Sequence, residues 1–342
     1  MKILVLCGGR SAEREISLQS AAFVEEALRM AGHEPCLVEI DRSGSWSLGG
    51  SGLVLEAGSF PWSLRTGCGA EVPFEAVFPV LHGPYGEDGT VQGLCETAGW
   101  PCAGAGVLAS AAGMNKAVFK RLAAAAGIPV VPWLELDERS PVRAGEILDS
   151  LGLPLFVKPA RLGSSIGISR VDRREDLPRA LSLAFSYDPL VVAEKAVLPA
   201  REIEVSVLGD SGGVTASVPG EIVPGREWYD FEAKYECPDS KLLIPAELEP
   251  SVTEAVRSSA VAAFTLLGGS GFARVDFLLS GPAFYLNEIN TIPGFTAISM
   301  FPKLWAASGL EAPELMNRIL SEALGRRPVG TRRRDGDAEV QG

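Results

Sequence analysis

Three oxygen-bearing side chains in one short segment, Asp276, Glu288 and Asn290, carry the strongest chemical signal in the sequence. They lie in ARVDFLLSGPAFYLNEINTIPGFT, residues 273–296, which reads as two β-strands joined around Gly281-Pro282. Side chains alternate along a strand, so Glu288 and Asn290 share a face. Asp276 joins them if the register sets it opposite Glu288, which needs a connection of roughly three or five residues and also sets Arg274 opposite Asn290. Two carboxylates and an amide oxygen with no nearby His or Cys suit a hard cation such as Mg²⁺, usually held by carboxylates together with substrate phosphates. The cluster therefore points to nucleotide chemistry. NEIN alone would serve equally as a polar strand end entering the turn Thr291-Ile292-Pro293-Gly294, and Arg274-x-Asp276 on the partner strand tips the balance.

Further motifs fit phosphate and base recognition. The loop Gly163-Ser164-Ser165-Ile166-Gly167 lies between two apolar strands, directly after Lys158-Pro159. Glycines let backbone amides approach phosphate, hydroxyls add donors, and Lys158 supplies charge. It is not a Walker loop, which needs a lysine after the second glycine. Alone it would be a plain hairpin connection; beside Lys158 and the acidic cluster it becomes a phosphate lid. Glu194-Lys195 closes an apolar strand, where a carboxylate and a lysine can bond an adenine edge, and Glu202, a few residues on, can hold ribose hydroxyls. Without the other motifs the pair would be a solvated strand terminus. Lys116, in the first turn of its helix, has the same two readings. The loop YDFEAKY, within the irregular stretch 225–245, carries Lys234, able to reach a transferring phosphoryl group, and Tyr235, able to pin a closed loop. The alternative is an exposed aromatic loop or a subunit contact.

In the first part of the chain, Glu13 follows Gly8-Gly9 at the mouth of a sheet, where α/β proteins bind ligands. A dinucleotide fold fails in detail: there is no G-x-G-x-x-G, and Arg10, Glu13 and Arg14 stand where small residues belong. A carboxylate there suits a substrate ammonium. His82, in LHGPYGEDG, can orient a small polar ligand, although a lone His is more often structural.

The elements that must position these groups follow from periodicity. Residues 2–7 form an apolar strand and Ser17 to Ala31 a helix closed by Gly32, a βα unit. Strands at 35–40 and 76–81 and a helix over 90–98 complete a small doubly wound sheet ending near 113, with the Gly/Ser-rich 43–70 read as surface loop. A helix over 115–126, strands 153–158, 168–171 and 190–194, and a helix over 174–185 make a compact α+β segment. Strand-rich sequence from 202, a helix over 250–267, the hairpin and a helix over 311–323 make another. The expected domains are thus 1–113, 114–200 and 201–324, followed by a charged tail, 325–342, read as disordered.

Composition bounds the partners. The 342 residues suffice for two or three cores. A net charge of −12 argues against binding nucleic acid or an anionic membrane, which demand a basic surface. No stretch reaches a membrane span, and the first residues read as a buried strand, so a cytoplasmic location is expected. Six cysteines without a CxxC pair argue against structural zinc. Only eight of the 31 basic residues are lysines, and Lys116, Lys158, Lys195 and Lys234 all fall within the motifs.

Taken in order, GGRSAEREISL, LHGPYGEDGTVQG, MNK, VKP, GSSIG, EK, EAKY, ARVDF and NEINTIPGFT resemble the D-alanine:D-alanine ligases, ATP-grasp enzymes of peptidoglycan synthesis, over roughly residues 2–323. The resemblance implies an α/β N-terminal domain followed by two α+β ATP-grasp domains. It implies ATP as co-substrate, two Mg²⁺ (or Mn²⁺) ions held by Asp276, Glu288 and Asn290, and D-alanine as substrate. Glu13 would hold the first D-alanine's ammonium in a triad with Ser164 and Tyr235, with His82 beside it. Lys116, Lys158 and Lys234 would neutralise the ATP phosphates; Glu194, Lys195 and Val197 would take adenine and Glu202 the ribose. Arg274 and the Gly294 amide would form the oxyanion hole, and Ser299 with Met300 would receive the second D-alanine's carboxylate. Tyr235 in EAKY favours D-alanine over D-lactate as acceptor. D-serine or D-lactate use is the alternative reading, a nicotinamide-dependent oxidoreductase or a silent binding protein a more distant one. A homodimer is expected.

Overall fold

The computed structural model describes residues 1–58, 60–140, 142–223 and 241–326. Strand β1 (Lys2–Gly8) is apolar because both its faces are covered. Ile3 and Val5 cluster with Val24 and Leu28 of α1 (Arg14–Met30), and Leu4 and Leu6 with Val91 and Cys95 of α2 (Thr90–Ala98). β1 pairs in parallel with β2 (Glu34–Ile40) and β6 (Ala76–Pro79). The segment expected to loop over the surface extends this sheet instead. β3 (Trp46–Leu48), β4 (Ser51–Glu56) and β5 (Ser63–Thr66) add antiparallel, giving the order β5-β4-β3-β2-β1-β6. Gly49 and Gly50 both have positive φ, 55° and 82°, so they are the two-residue turn of a hairpin rather than loop filler.

Two helices, α3 (Val107–Met114) and α4 (Lys116–Ala125), follow. They part at Asn115, whose side chain accepts the Val118 N–H as the N-cap of α4. A second sheet contains β7 (Trp133–Asp137), β8 (Leu155–Pro159), β9 (Ser169–Val171) and β10 (Leu190–Lys195), in the order β7-β10-β8-β9. α5 (Ala144–Leu151) and α6 (Leu177–Phe185) bury one face against Val157, Val191 and Ala193. Period-two alternation then turns Lys158 and Glu194 to the opposite face.

The third sheet is antiparallel, β14-β13-β11-β15-β16, with β12 on the side of β11. Its members are β11 (Arg201–Asp210), β12 (Gly213–Ala216), β13 (Gly220–Val223), β14 (Lys241–Leu243), β15 (Gly271–Ser280) and β16 (Ala283–Asn290). Ile203, Val205, Val275 and Phe277 pack on α7 (Pro250–Leu266) through Ala260 and Phe264. α8 (Met300–Ala307) and α9 (Ala312–Gly325) close the chain, α9 running past its expected end. Phe78 of the first sheet meets Phe272 and Phe295 at 5.9 and 5.7 Å between ring centroids, and Phe301 joins them. The first and third sheets therefore share one core, while the second and third sheets line the cleft.

Candidate active site

The hairpin has the register the chemistry required: Arg274 faces Asn290 and Asp276 faces Glu288. The connection differs from expectation. It has two residues, Gly281 and Pro282, with Gly281 at φ +58°, as a type II′ turn wants. The register shifts after Asp276, so that Phe277 pairs with Leu286 and Asn287 is an extra residue, a β-bulge. The bulge supplies the offset that a longer turn would have given. It also lets Asn287 and Glu288 both line the cleft while Leu286 and Ile289 stay buried.

β11 extends the row, with Glu204 opposite Asp276. Arg274 neutralises both: its Nε is 3.0 Å from Glu204 Oε2 and 2.7 Å from Asp276 Oδ1, and its Nη2 is 2.7 Å from Asp276 Oδ2. Burial alone would lower the arginine's pKa; the Asp276 and Glu204 carboxylates outweigh it and hold the group well above its ordinary value. Asn290 Nδ2 donates to Asp276 Oδ2 at 2.9 Å. Among the described residues no three His, Cys, Asp or Glu side chains form a metal-binding group. The residues that could hold a metal are Asp276, Glu288 and the Asn290 amide, an all-oxygen set that would suit Mg²⁺ better than the softer metals.

Facing this hairpin is a set of lysines. Lys158 Nζ donates to Glu194 Oε2 at 2.7 Å and to Asn287 Oδ1 at 3.4 Å. Lys116 Nζ donates to the Leu162 carbonyl at 2.6 Å and lies 3.6 Å from Glu288. Burial would raise the Glu194 pKa, but Lys120 and Lys158 bring it down to about 2. Lys116, Lys158, Glu194, Glu202, Asp276 and Glu288 all line one cavity of about 460 Å³, together with Ser164, Lys195 and Val197. A larger surface groove, about 740 Å³ beside Trp62 and Trp100, contains none of these residues.

The lid loop reaches the first sheet. Ser164 Oγ donates to Glu13 Oε1, tying the Gly163–Gly167 turn to the carboxylate behind Gly9. Ser164 and Ser165 hold φ of +50° and +59°, a left-handed pair costing roughly 1–2 kcal/mol each for non-glycine residues. His82 is 4 % exposed; its Nε2 meets Ser20 Oγ and its Nδ1 meets the Ile292 carbonyl, both at 2.9 Å. Burial opposes charge on the imidazole, and Glu87, 3.7 Å away, reverses that and raises its pKa. The Phe295 N–H in turn donates to Ser20 Oγ at 3.2 Å. His82 thus ties the 291–295 loop to the first sheet from within the protein. Ser299 accepts the Thr296 N–H at 3.0 Å, and the Met300 side chain is buried with Ile222 and Leu304, leaving its backbone at the start of α8. Lys234 and Tyr235 lie outside the described residues.

Two family models account for most of the chain: "D-ala D-ala ligase N-terminus" matches residues 2–63 and 64–105, and "D-ala D-ala ligase C-terminus" matches residues 122–321. The chain belongs to the D-alanine–D-alanine ligase family. It is 46 % identical to the D-alanine–D-alanine ligase of Heliobacterium modesticaldum, over 95 % of this chain and 94 % of the relative. The crystal structure of D-alanyl-alanine synthetase A from Vibrio cholerae superposes with a TM-score of 0.86 at 33 % identity, covering 95 % of this chain and 99 % of that one. The VanG D-Ala:D-Ser ligase of Enterococcus faecalis follows at 0.84 and 32 %, covering 94 % and 99 %. The architecture is accordingly an N-terminal α/β domain with two ATP-grasp domains.

Three further side chains to which the sequence reading assigns no role join this cluster. Lys120 stands one helical turn after Lys116, the spacing that shares a helix face. Glu204 is two residues after Glu202, which on a strand is the same face. Asn287 had no signal, because its orientation depends on the bulge.

Proposed function

We propose that this protein joins two D-alanines into D-alanyl-D-alanine at the expense of ATP, releasing ADP and phosphate, for peptidoglycan precursor synthesis. The observation that carries the reading is the convergence of Lys116, Lys158, Glu194, Asp276 and Glu288 on one cavity, with the Glu13–Ser164 contact beyond the lid loop. Glu194, Lys195 and Val197 take the adenine and Glu202 the ribose. Lys116, Lys158 and Lys234 neutralise the phosphates. Asp276, Glu288 and Asn290 hold two Mg²⁺ or Mn²⁺ ions, which when bound offset the charge of the reacting phosphates.

Glu13 holds the ammonium of the first D-alanine and is itself held by Ser164, with Tyr235 completing the triad. That D-alanine's carboxylate attacks the γ-phosphate to give an acyl phosphate and ADP. The amine of the second D-alanine, its carboxylate received by Ser299 and the Met300 amide, then attacks the acyl carbon and expels phosphate. Arg274 and the Gly294 amide stabilise the oxyanion that develops there. The protein's contribution is placement, charge and exclusion of water from the acyl phosphate. His82 stays behind the first substrate and fixes the Ile292 carbonyl, and with it the Gly294 turn.

We assign the domain boundaries to 113/114 and 200/201, the location to the cytoplasm and the assembly to a homodimer, the last checked by a solution mass twice that of the chain. Phosphate release from ATP against D-alanine concentration, with L-alanine as control, tests the activity. D-Alanine-dependent release is the expected result, and release equal with and without D-alanine refutes it. Because the VanG D-Ala:D-Ser ligase is also a close structural relative, D-serine and D-lactate belong in the acceptor panel.

A further inference from the structure

We propose that Lys120 is a positioning residue of the nucleotide site, the interior counter-ion of Glu194 that frees Lys158 to serve the phosphates. The inference rests on the nucleotide reading above. Lys120 lies on α4 and is 1 % exposed, behind the cavity wall. Its Nζ is 3.2 Å from Glu194 Oε1, while Lys158, on the wall itself, holds Oε2 at 2.7 Å. One carboxylate therefore carries two ammonium partners: one sealed in the interior, the other where a solute can reach it. Trp133 of β7 and Phe156 of β8 flank Glu194 in register and bring no charge. Lys116 and Glu288 lie further along the cleft and face each other.

A buried carboxylate with a single cation holds that cation strongly, since losing it would leave an uncompensated charge. With Lys120 behind it, Glu194 can release Lys158 to incoming phosphate oxygens and stay ionised, its freed Oε2 able to accept from the purine amino group. Without Lys120, binding the triphosphate either leaves Lys158 on Glu194 or strips the carboxylate of its last cation. In the second case Glu194 takes up a proton as the nucleotide binds.

The test measures binding of a non-hydrolysable ATP analogue with Mg²⁺ by calorimetry, between about pH 5.5 and 8, in buffers of different ionisation enthalpy. Wild type is compared with Lys120→Met, Glu194→Gln and the double variant. Lys120→Met is expected to raise the dissociation constant about tenfold or more. Its loss should grow as pH rises, because binding is then coupled to uptake of one extra proton, which a packing defect would not produce. In the Glu194→Gln background the same substitution should change neither affinity nor proton uptake. Wild-type affinity with no added proton uptake in Lys120→Met overturns the proposal, as does an equal loss in both backgrounds. Should Lys120→Met fail to fold, the double variant, which contains no unpaired carboxylate, is compared with Glu194→Gln alone, and a markedly weaker double variant overturns it. If wild type binds no nucleotide, the functional reading itself falls.

Discussion

Gly83→Ala displaces the Glu13 carboxylate without substituting Glu13 itself. Gly83 has φ +73°, and a Cβ built there lies 2.5 Å from Glu13 Oε2 and 3.4 Å from the Ser11 Cβ. The first contact is about 1 Å short of ordinary van der Waals separation. Because the obstructed atom is the far end of a flexible side chain, the fold yields by moving the carboxylate, and the stability loss is confined to the left-handed backbone, roughly 1–2 kcal/mol. The functional loss should be larger. A group displaced by about 1 Å from its productive position can cost on the order of 100-fold. Glu13 moved off Ser164 should therefore lower kcat/KM for D-alanine about 100-fold, while the dissociation constant of ATP stays as in wild type, since Gly83 is not part of the cavity wall. Gly32→Ala is the control: it shares a positive φ, +83°, with nothing within 4 Å of the added carbon, and should show only the backbone penalty. The assay is steady-state phosphate release with D-alanine and ATP varied separately, alongside thermal unfolding. Wild-type kcat/KM for D-alanine in a folded Gly83→Ala protein would refute the assignment of the ammonium to Glu13.

Three other outcomes are expected. Glu288→Gln should abolish ligation and leave thermal unfolding unchanged, because the side chain is 21 % exposed and removes one metal-binding charge from a cleft; retained activity contradicts the metal assignment. Arg274→Lys keeps a positive charge near Glu204 and Asp276 but loses the planar fork, and should lower kcat about 100-fold or more, some 3 kcal/mol of transition-state stabilisation. Glu194 falls from 4.5 to about 2 on folding, so it adds stability above pH 4.5 that is lost as the pH drops through that window. The amount is about 3 kcal/mol. The urea midpoint of Glu194→Gln should therefore fall less steeply between pH 4.5 and 2 than that of wild type; parallel slopes would show that Glu194 is not held by its lysines.

Much of the site was legible because strand alternation is a strict rule. Glu288 and Asn290 had to share a face, and Lys158 and Glu194 had to turn away from the valines that alternate with them. What escaped depended on non-local geometry. The bulge at Asn287 arises from fitting a two-residue turn to a register set by buried Leu286 and Ile289, and neither the turn length nor the burial can be read from NEIN. Lys120 escapes because its partner, Glu194 of β10, is distant in sequence. In the first sheet, Trp46 to Glu56 contains apolar residues on either side of Gly49-Gly50, a hairpin signature outweighed by the surrounding glycines and serines. Helices α3, α5 and α8 are eight residues each, too short for periodicity to announce them, and their existence rests on packing.

The central claim is that the nucleotide's terminal phosphates lie between Lys116 and Lys158 on one wall and Asp276 and Glu288 on the other. A crystal structure with Mg²⁺ and a non-hydrolysable ATP analogue tests it most directly. The account predicts β- and γ-phosphate oxygens in contact with both lysines, and metal density shared between those oxygens and Asp276, Glu288 and Asn290. An analogue bound elsewhere, or phosphates in the cavity with Asp276 still committed to Arg274, Glu288 to Lys116 and both free of metal, would contradict it.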